Sequence, residues 1–206
     1  MTSQSTPGPP AGFSVKPVLT GKQVILRQLV EADAPQMMAG FDAEGSRLTG
    51  SHSEITEAGA RRWYASLAEQ DDRLDLAVVD RANGALAGEV VLNEWDPDNH
   101  SCSFRILLLP SGRGRGLGSE ATRMILEYGF EVLGLNRVSL EVYAFNPRAR
   151  RVYRKAGFVS EGTLREALHW EGEWIDAEVM SILAREWSEH RGRPVVGPEE
   201  RTPNGM

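Results

Sequence analysis

Arg113-Gly114-Arg115-Gly116-Leu117-Gly118-Ser119 lies between an apolar run, Ile106-Leu107-Leu108-Leu109, and a helical pattern that opens near Glu120. Glycines at alternate positions allow backbone conformations and close approaches that a Cβ would block. A turn that feeds a helix N-terminus presents free N–H groups beside the positive end of a macrodipole, a setting suited to phosphate. Arg113 and Arg115 add positive charge. The residues of this stretch admit two readings, an anion cradle and a flexible surface loop, and a lone glycine-rich loop does not decide between them.

Elements on either side give the stretch its context. Val24 to Leu29 reads as a strand, Asp33 with Pro35 as the start of a helix to about Phe41, and Asp42 to Ile55 as a polar loop. Thr56 caps a helix whose apolar positions, Ala60, Trp63, Tyr64 and Leu67, recur at helical spacing. Leu74–Asp80, Ala85–Trp95 and Ser101–Leu108 follow as strands joined by turn residues. After the glycine stretch comes a helix with Ala121, Ile125, Tyr128 and Val132 on one face, then a strand from Arg137 to Ala144. Asn146-Pro147 opens a further helix that ends at Gly157, a left-handed cap. Val159–Trp170 and Trp174–Arg185 are the last strands. This order describes an α/β (α+β) domain with a mixed, mostly antiparallel sheet of about seven strands and about four helices.

Composition narrows the classes of function. The 206 residues, 41% of them hydrophobic, suit a single domain with a substantial core. Residues 1–17 and 190–206 read as disordered tails around a folded body at 18–189. A net charge of −6 argues against a nucleic-acid partner, and no apolar run has the length to span a membrane. The single cysteine, Cys102, sits within a strand and gives neither a disulfide nor a metal cluster, so no metal is expected. A cytoplasmic protein is the expectation.

A second block, Asn146-Pro-Arg-Ala-Arg-Arg-Val-Tyr153-Arg-Lys-Ala-Gly157-Phe158, follows the first by about thirty residues. Together, Arg113-x-x-Gly116-x-Gly118 and this block resemble the acyl-CoA signature of the GNAT (GCN5-related) N-acetyltransferases. The segments Phe158 to Arg165 and Glu171 to Asp176 resemble the branch with ribosomal-protein N-terminal alanine acetyltransferases and spermidine-type relatives. The resemblance implies acetyl-CoA as acyl donor. It implies that backbone N–H groups of Arg113, Gly114, Arg115, Gly116, Leu117, Gly118 and Ser119 hold the pyrophosphate. Ile106, Leu107, Leu108 and Leu109 would lie on a strand splayed from its neighbour, pairing with the pantetheine arm and polarising the thioester carbonyl. It implies that Asn146 touches the pantetheine arm, although an N-cap needs no second role. Tyr153, two turns along that helix, would protonate the departing thiolate, although its position also suits plain helix–sheet packing.

The base is less readily assigned. Relatives often carry a glutamate on the strand before the loop, where this chain has Ser103. Glu89 and Glu141 on neighbouring strands are substitutes, with His52, His169 and a water relay as further options. The acceptor is a small-molecule or peptide amine. Glu54, Glu57, Glu69, Asp71 and Asp72 hint at a cation, but Arg47, Arg61, Arg62 and Arg73 lie among them; Trp63 and Trp95 are candidates for lining its cleft. The leading expectation is an N-acetyltransferase working by direct attack of a neutral amine, as a possible homodimer. The alternative, suggested by Ser103, is a non-catalytic acyl-CoA-binding sensor. A dinucleotide fold fits poorly, because Ser119 stands where the third glycine belongs.

Overall fold

The computed structural model describes residues 12–51 and 56–191. Eight strands form one sheet: β1 (Leu19–Thr20), β2 (Val24–Gln28), β3 (Leu74–Asp80), β4 (Leu86–Asp96), β5 (Ser101–Leu108), β6 (Arg137–Tyr143), β7 (Val159–Trp170) and β8 (Glu173–Leu183). Their spatial order is β1-β2-β3-β4-β5-β6-β8-β7, antiparallel throughout except for the β5–β6 pair. Six α-helices accompany them among the described residues: α1 (Ala34–Gly40), α2 (Ala43–Thr49), α3 (Glu57–Ser66), α4 (Leu117–Glu131), α5 (Pro147–Ala156) and α6 (Ala184–His190).

Strand alternation sends side chains to two core layers. Leu76, Val78, Val90, Leu92 and Phe104 face α4 and α5, where Leu117, Ala121, Ile125 and Tyr153 meet them. Ala77, Val79 and Leu107 face the other way, toward Ala34, Met37, Ala60 and Tyr64 of α1 and α3. With helices on both faces, every residue of β3 is buried. That continuous burial suits the apolar run 76–79 at the centre of β3, while the two buried carboxylates of the strand, Asp75 and Asp80, pair with Arg73 and Arg115.

Several elements differ from the sequence expectation. Residues 43–49 form α2 instead of a loop. The short Ala-Glu-Gly-Ser-Arg-Leu-Thr run has no clear apolar stripe, and its helix is held by the Asp42 side chain, which accepts the Gly45 N–H at 2.7 Å. Asp33 does not cap α1 with its side chain. Its carboxylate accepts from the Arg27 guanidinium and from the Val30 N–H instead. Helix α4 starts at Leu117, three residues before Glu120, because Gly116 adopts a left-handed φ of 86° and turns the chain directly into the helix. At the end of β8 the chain leaves the sheet at Leu183 and winds into α6, which buries Trp187 against Phe130. Upstream of residue 18, Phe13 is buried, packs on Trp95 at 5.3 Å and donates its N–H to Asp71 O. The ordered body therefore reaches into the segment expected to be tail, because an aromatic side chain in a polar, Pro-rich stretch finds a hydrophobic seat that composition does not show.

Candidate active site

The parallel pair β5–β6 holds for three residues only, Ser101, Cys102 and Ser103 against Arg137, Val138 and Ser139. Beyond that point β5 stays with β4 as far as Leu108↔Gly88, and β6 stays with β8 as far as Tyr143↔Ala177. The two strands therefore part, and the inner edge of β5 from Phe104 to Leu108 has no strand beside it. A register shift in β4 beside Gly88 accompanies the divergence. Gly88 has φ 151°, and a Cβ there would collide with the carbonyl oxygen of Leu107. Only glycine lets the β4 and β5 backbones approach this closely.

A cavity of about 280 Å³ occupies the opening. It brings together Ile106, Leu107, Leu108, Arg113, Gly114, Gly116, Gly118, Ser119, Asn146 and Tyr153, which are ten of the residues singled out from sequence. Leu109, Arg115 and Leu117 lie outside its lining. Leu109 is buried in the α1–α3 core with its N–H on Ala87 O, and Leu117, the first residue of α4, is buried in the core on the other face of the sheet. At the start of α4 the first N–H groups have no intrahelical partner and face this cavity around Gly118 and Ser119.

The two signature arginines point elsewhere. Arg113 donates to Asp42, Glu44 and the Leu108 carbonyl, which ties the loop to α2. Arg115 pairs with Asp80 at 2.7 Å and donates to Ser111 O. The guanidinium beside the glycines is that of Arg148 on α5, whose terminal nitrogen lies 3.4 Å from where a Gly114 Cβ would stand. Arg148 lines the cavity and has no ion pair among the described residues. Sequence reasoning missed it; the signal was the arginine-rich start of the second motif. Asn146 caps α5 by accepting the Ala149 N–H at 3.0 Å and also lines the cavity. Tyr153 is held edge-on against Phe104, and burial raises its hydroxyl above the ordinary tyrosine value.

Across β5 lies a second cavity of about 410 Å³, between the sheet and helices α1 and α3. The two cavities share Thr49, Ile106 and Leu107, so they meet at the middle of β5. Glu89 lines the second cavity, opposite Leu107 in the β4–β5 register. Burial pushes its carboxyl up to about 7, with the Asp75 charge adding to the shift and Arg105 opposing it. The Tyr64 hydroxyl donates to Glu89 at 3.4 Å. Trp63 lines this cavity, whereas Trp95 packs on Phe13. Glu141 is exposed on β6 and lines neither cavity. His169 is exposed in β7 and sits against Trp174, and His52 lies outside the described residues. Ser103 donates to Glu94 at 2.6 Å. Cys102 is buried, and desolvation pushes its thiol up to about 12, which makes it a poor nucleophile.

A family model for the GNAT acetyltransferase domain matches residues 23–159, more than half of the chain. The chain belongs to the GNAT acetyltransferase family. Among relatives of this acetyltransferase, the spermidine N(1)-acetyltransferase of Escherichia coli K12 is 31% identical over 146 residues, covering 66% of this chain and 78% of that enzyme. The corresponding enzyme of Vibrio cholerae is 35% identical over 106 residues, 52% of this chain and 61% of its own length. The putative ribosomal N-acetyltransferase YdaF of Bacillus subtilis is 29% identical over 147 residues, 71% of this chain and 77% of its own length. The solved spermidine N-acetyltransferase of Vibrio cholerae, in complex with CoA and spermine, superimposes with a TM-score of 0.76 at 25% identity. That superposition covers 82% of this chain and 99% of the other. The activity of this GNAT acetyltransferase is acetyl transfer to a primary amine.

Proposed function

We propose that this acetyltransferase binds acetyl-CoA in the cleft between β5 and β6 and receives its acceptor amine from the opposite side of β5, with Glu89 as general base. The observation that carries this reading is the meeting of the two cavities at Ile106 and Leu107, with the Glu89 carboxyl on the acceptor side. In this scheme the unpaired edge of β5 hydrogen-bonds the pantetheine arm as an added strand would. The N–H groups at the α4 start hold the pyrophosphate, and Arg148 adds the mobile positive charge that Arg113 and Arg115 direct elsewhere.

The acceptor arrives as an ammonium and loses a proton to Glu89. An α-amine near 8 exchanges readily with a carboxyl near 7, whereas a lysine near 10.4 does so less favourably. The amine nitrogen attacks the thioester carbonyl carbon and the C–S bond breaks. The electron pair leaves on sulfur, which takes the proton of the Tyr153 hydroxyl, and the second proton of the attacking nitrogen restores that hydroxyl as the neutral amide forms. A thiol is a fair leaving group, so proton donation contributes modestly. No acyl-enzyme is needed, in keeping with the buried Cys102.

The acceptor is a small amine or a peptide terminus; the spermidine enzymes among the relatives support the former and YdaF the latter. We further infer a homodimer through β7, which is exposed over nine successive residues and carries exposed Val159 and Leu164, with exposed Trp174 opposite His169 on the paired strand β8. The cytoplasm, where acetyl-CoA is available, is the inferred site of action. Mass spectrometry of products from a mixed pool of N-terminal peptides and small amines tests the activity. Glu89→Gln is expected to cut turnover about 100-fold or more, and an unchanged rate would remove Glu89 from the mechanism.

A further inference from the structure

The acceptor cavity carries four charged side chains among its described residues: Arg73, Arg105, Asp75 and Glu89. Both oxygens of Asp75 are occupied by Arg73, at 2.6 and 2.8 Å, and the Arg73 guanidinium also lies over the Trp63 ring at 4.7 Å. Arg105 differs from Arg73. It lines the cavity, is exposed, and makes no ion pair or hydrogen bond among the described residues. Val91↔Arg105 and Glu89↔Leu107 are successive same-face pairs of β4 and β5, so Arg105 and Glu89 are diagonal neighbours, about 7–8 Å apart at the backbone.

This spacing places a guanidinium with no ion-pair partner among the described residues one step from the group that receives the amine proton. A polyamine would bring its second ammonium into a cavity where the described residues offer no spare carboxylate and Arg105 repels it. An amine that also carries a carboxylate matches both ends, because Arg binds carboxylates through two parallel N–H···O bonds. Met37, Met38 and Phe41 form an apolar wall for the rest of the molecule.

Resting on the acetyltransferase reading above, we infer that the acceptor is a primary amine bearing a nearby carboxylate, with Arg105 binding the carboxylate while the amine faces Glu89. Two sources share that chemistry: a free α-amino acid with an apolar side chain, and a peptide N-terminus with an acidic second residue. The titration of Glu89 near 7 reinforces the choice, since partial protonation leaves the cavity wall net positive at neutral pH.

The test is CoA-thiol release by the full chain with acetyl-CoA and matched acceptors: methionine and phenylalanine, their amides, methionyl-aspartyl amide, methionyl-lysyl amide, and spermidine. The carboxylate-bearing partner of each pair is expected to show a kcat/KM at least about tenfold higher, equivalent to about 1.4 kcal/mol. Preference for the free amino acids assigns the small-molecule source, and preference for methionyl-aspartyl amide alone assigns the peptide source. Arg105→Gln should raise KM for the carboxylates about tenfold while leaving the amides within about twofold, and Arg105→Lys should restore part of the loss. Spermidine or the amides as better substrates than their carboxylate partners would overturn the inference while leaving the acetyltransferase reading intact. Acetyl-CoA binding by calorimetry with no product from any amine would overturn both.

Discussion

Glu89, the general base of the proposed scheme, would couple catalysis to stability. Its carboxyl titrates near 7 in the folded chain, because burial and the Asp75 charge disfavour the anion, and near 4.3 in an unfolded one. Between those values the folded state holds a proton that the unfolded state has released, so stability falls as pH rises from about 4.5 to 7. Glu89→Gln removes this dependence. Urea unfolding should find it more stable relative to the parent at pH 8 than at pH 5. Its activity should move the opposite way: parent kcat/KM rises with pH through about 7 as the base deprotonates, and that inflection should vanish in the variant. Tyr153→Phe keeps the packing against Phe104 and removes only the hydroxyl. A loss of about 10- to 100-fold in kcat is expected for general-acid chemistry with a good leaving group. Arg148→Ala should raise KM for acetyl-CoA with little change in kcat, the signature of lost ground-state binding.

At the scale of elements, the cleft depends on how β4 and α2 are held. Gly88→Ala places a Cβ on the Leu107 carbonyl, within the stretch of β5 that has already parted from β6. A destabilisation of about 1–3 kcal/mol and weakened acetyl-CoA binding are expected, read from thermal melts with and without the donor. Helix α2 hangs on Asp42, which caps it and also receives the Arg113 guanidinium. Asp42→Ala should cost about 0.5–2 kcal/mol through the lost cap and loosen the tie that Arg113 makes between the glycine loop and α2. The glycine loop, the Asn146 cap and the Gly157 stop were legible in sequence because each is a local conformational demand answered by a particular residue. Helix α2 was not, because its capping residue draws support from an arginine far along the chain.

For the molecule as a whole, Phe13 closes the end of the sheet on which Trp95 lies. Removing a side chain buried to 1% exposure should cost about 3–5 kcal/mol in Phe13→Ala, a loss that chemical denaturation would register. A chain beginning at residue 18 should show the same loss, whereas a dispensable tail would show none. Light scattering coupled to size exclusion checks the β7 face. A dimer that Trp174→Glu dissociates is expected, and a monomeric parent would remove that face from consideration.

The amino-acid sequence by itself determined the local conformations on which the proposed donor site rests. Glycines at required turns, a cap and proline at the α5 start, and apolar strand and helix periods are local properties that residues carry with them. Tertiary structure alone decided the proposed acceptor side and the distribution of charge. Glu89, Asp75 and Arg105 come from three strands and meet only through sheet register, so the environment that lifts Glu89 toward neutrality has no local signature. The same holds for the arginines. Which guanidinium remains available depends on carboxylates that folding places beside the others, since charge pairing acts through space and not along the chain.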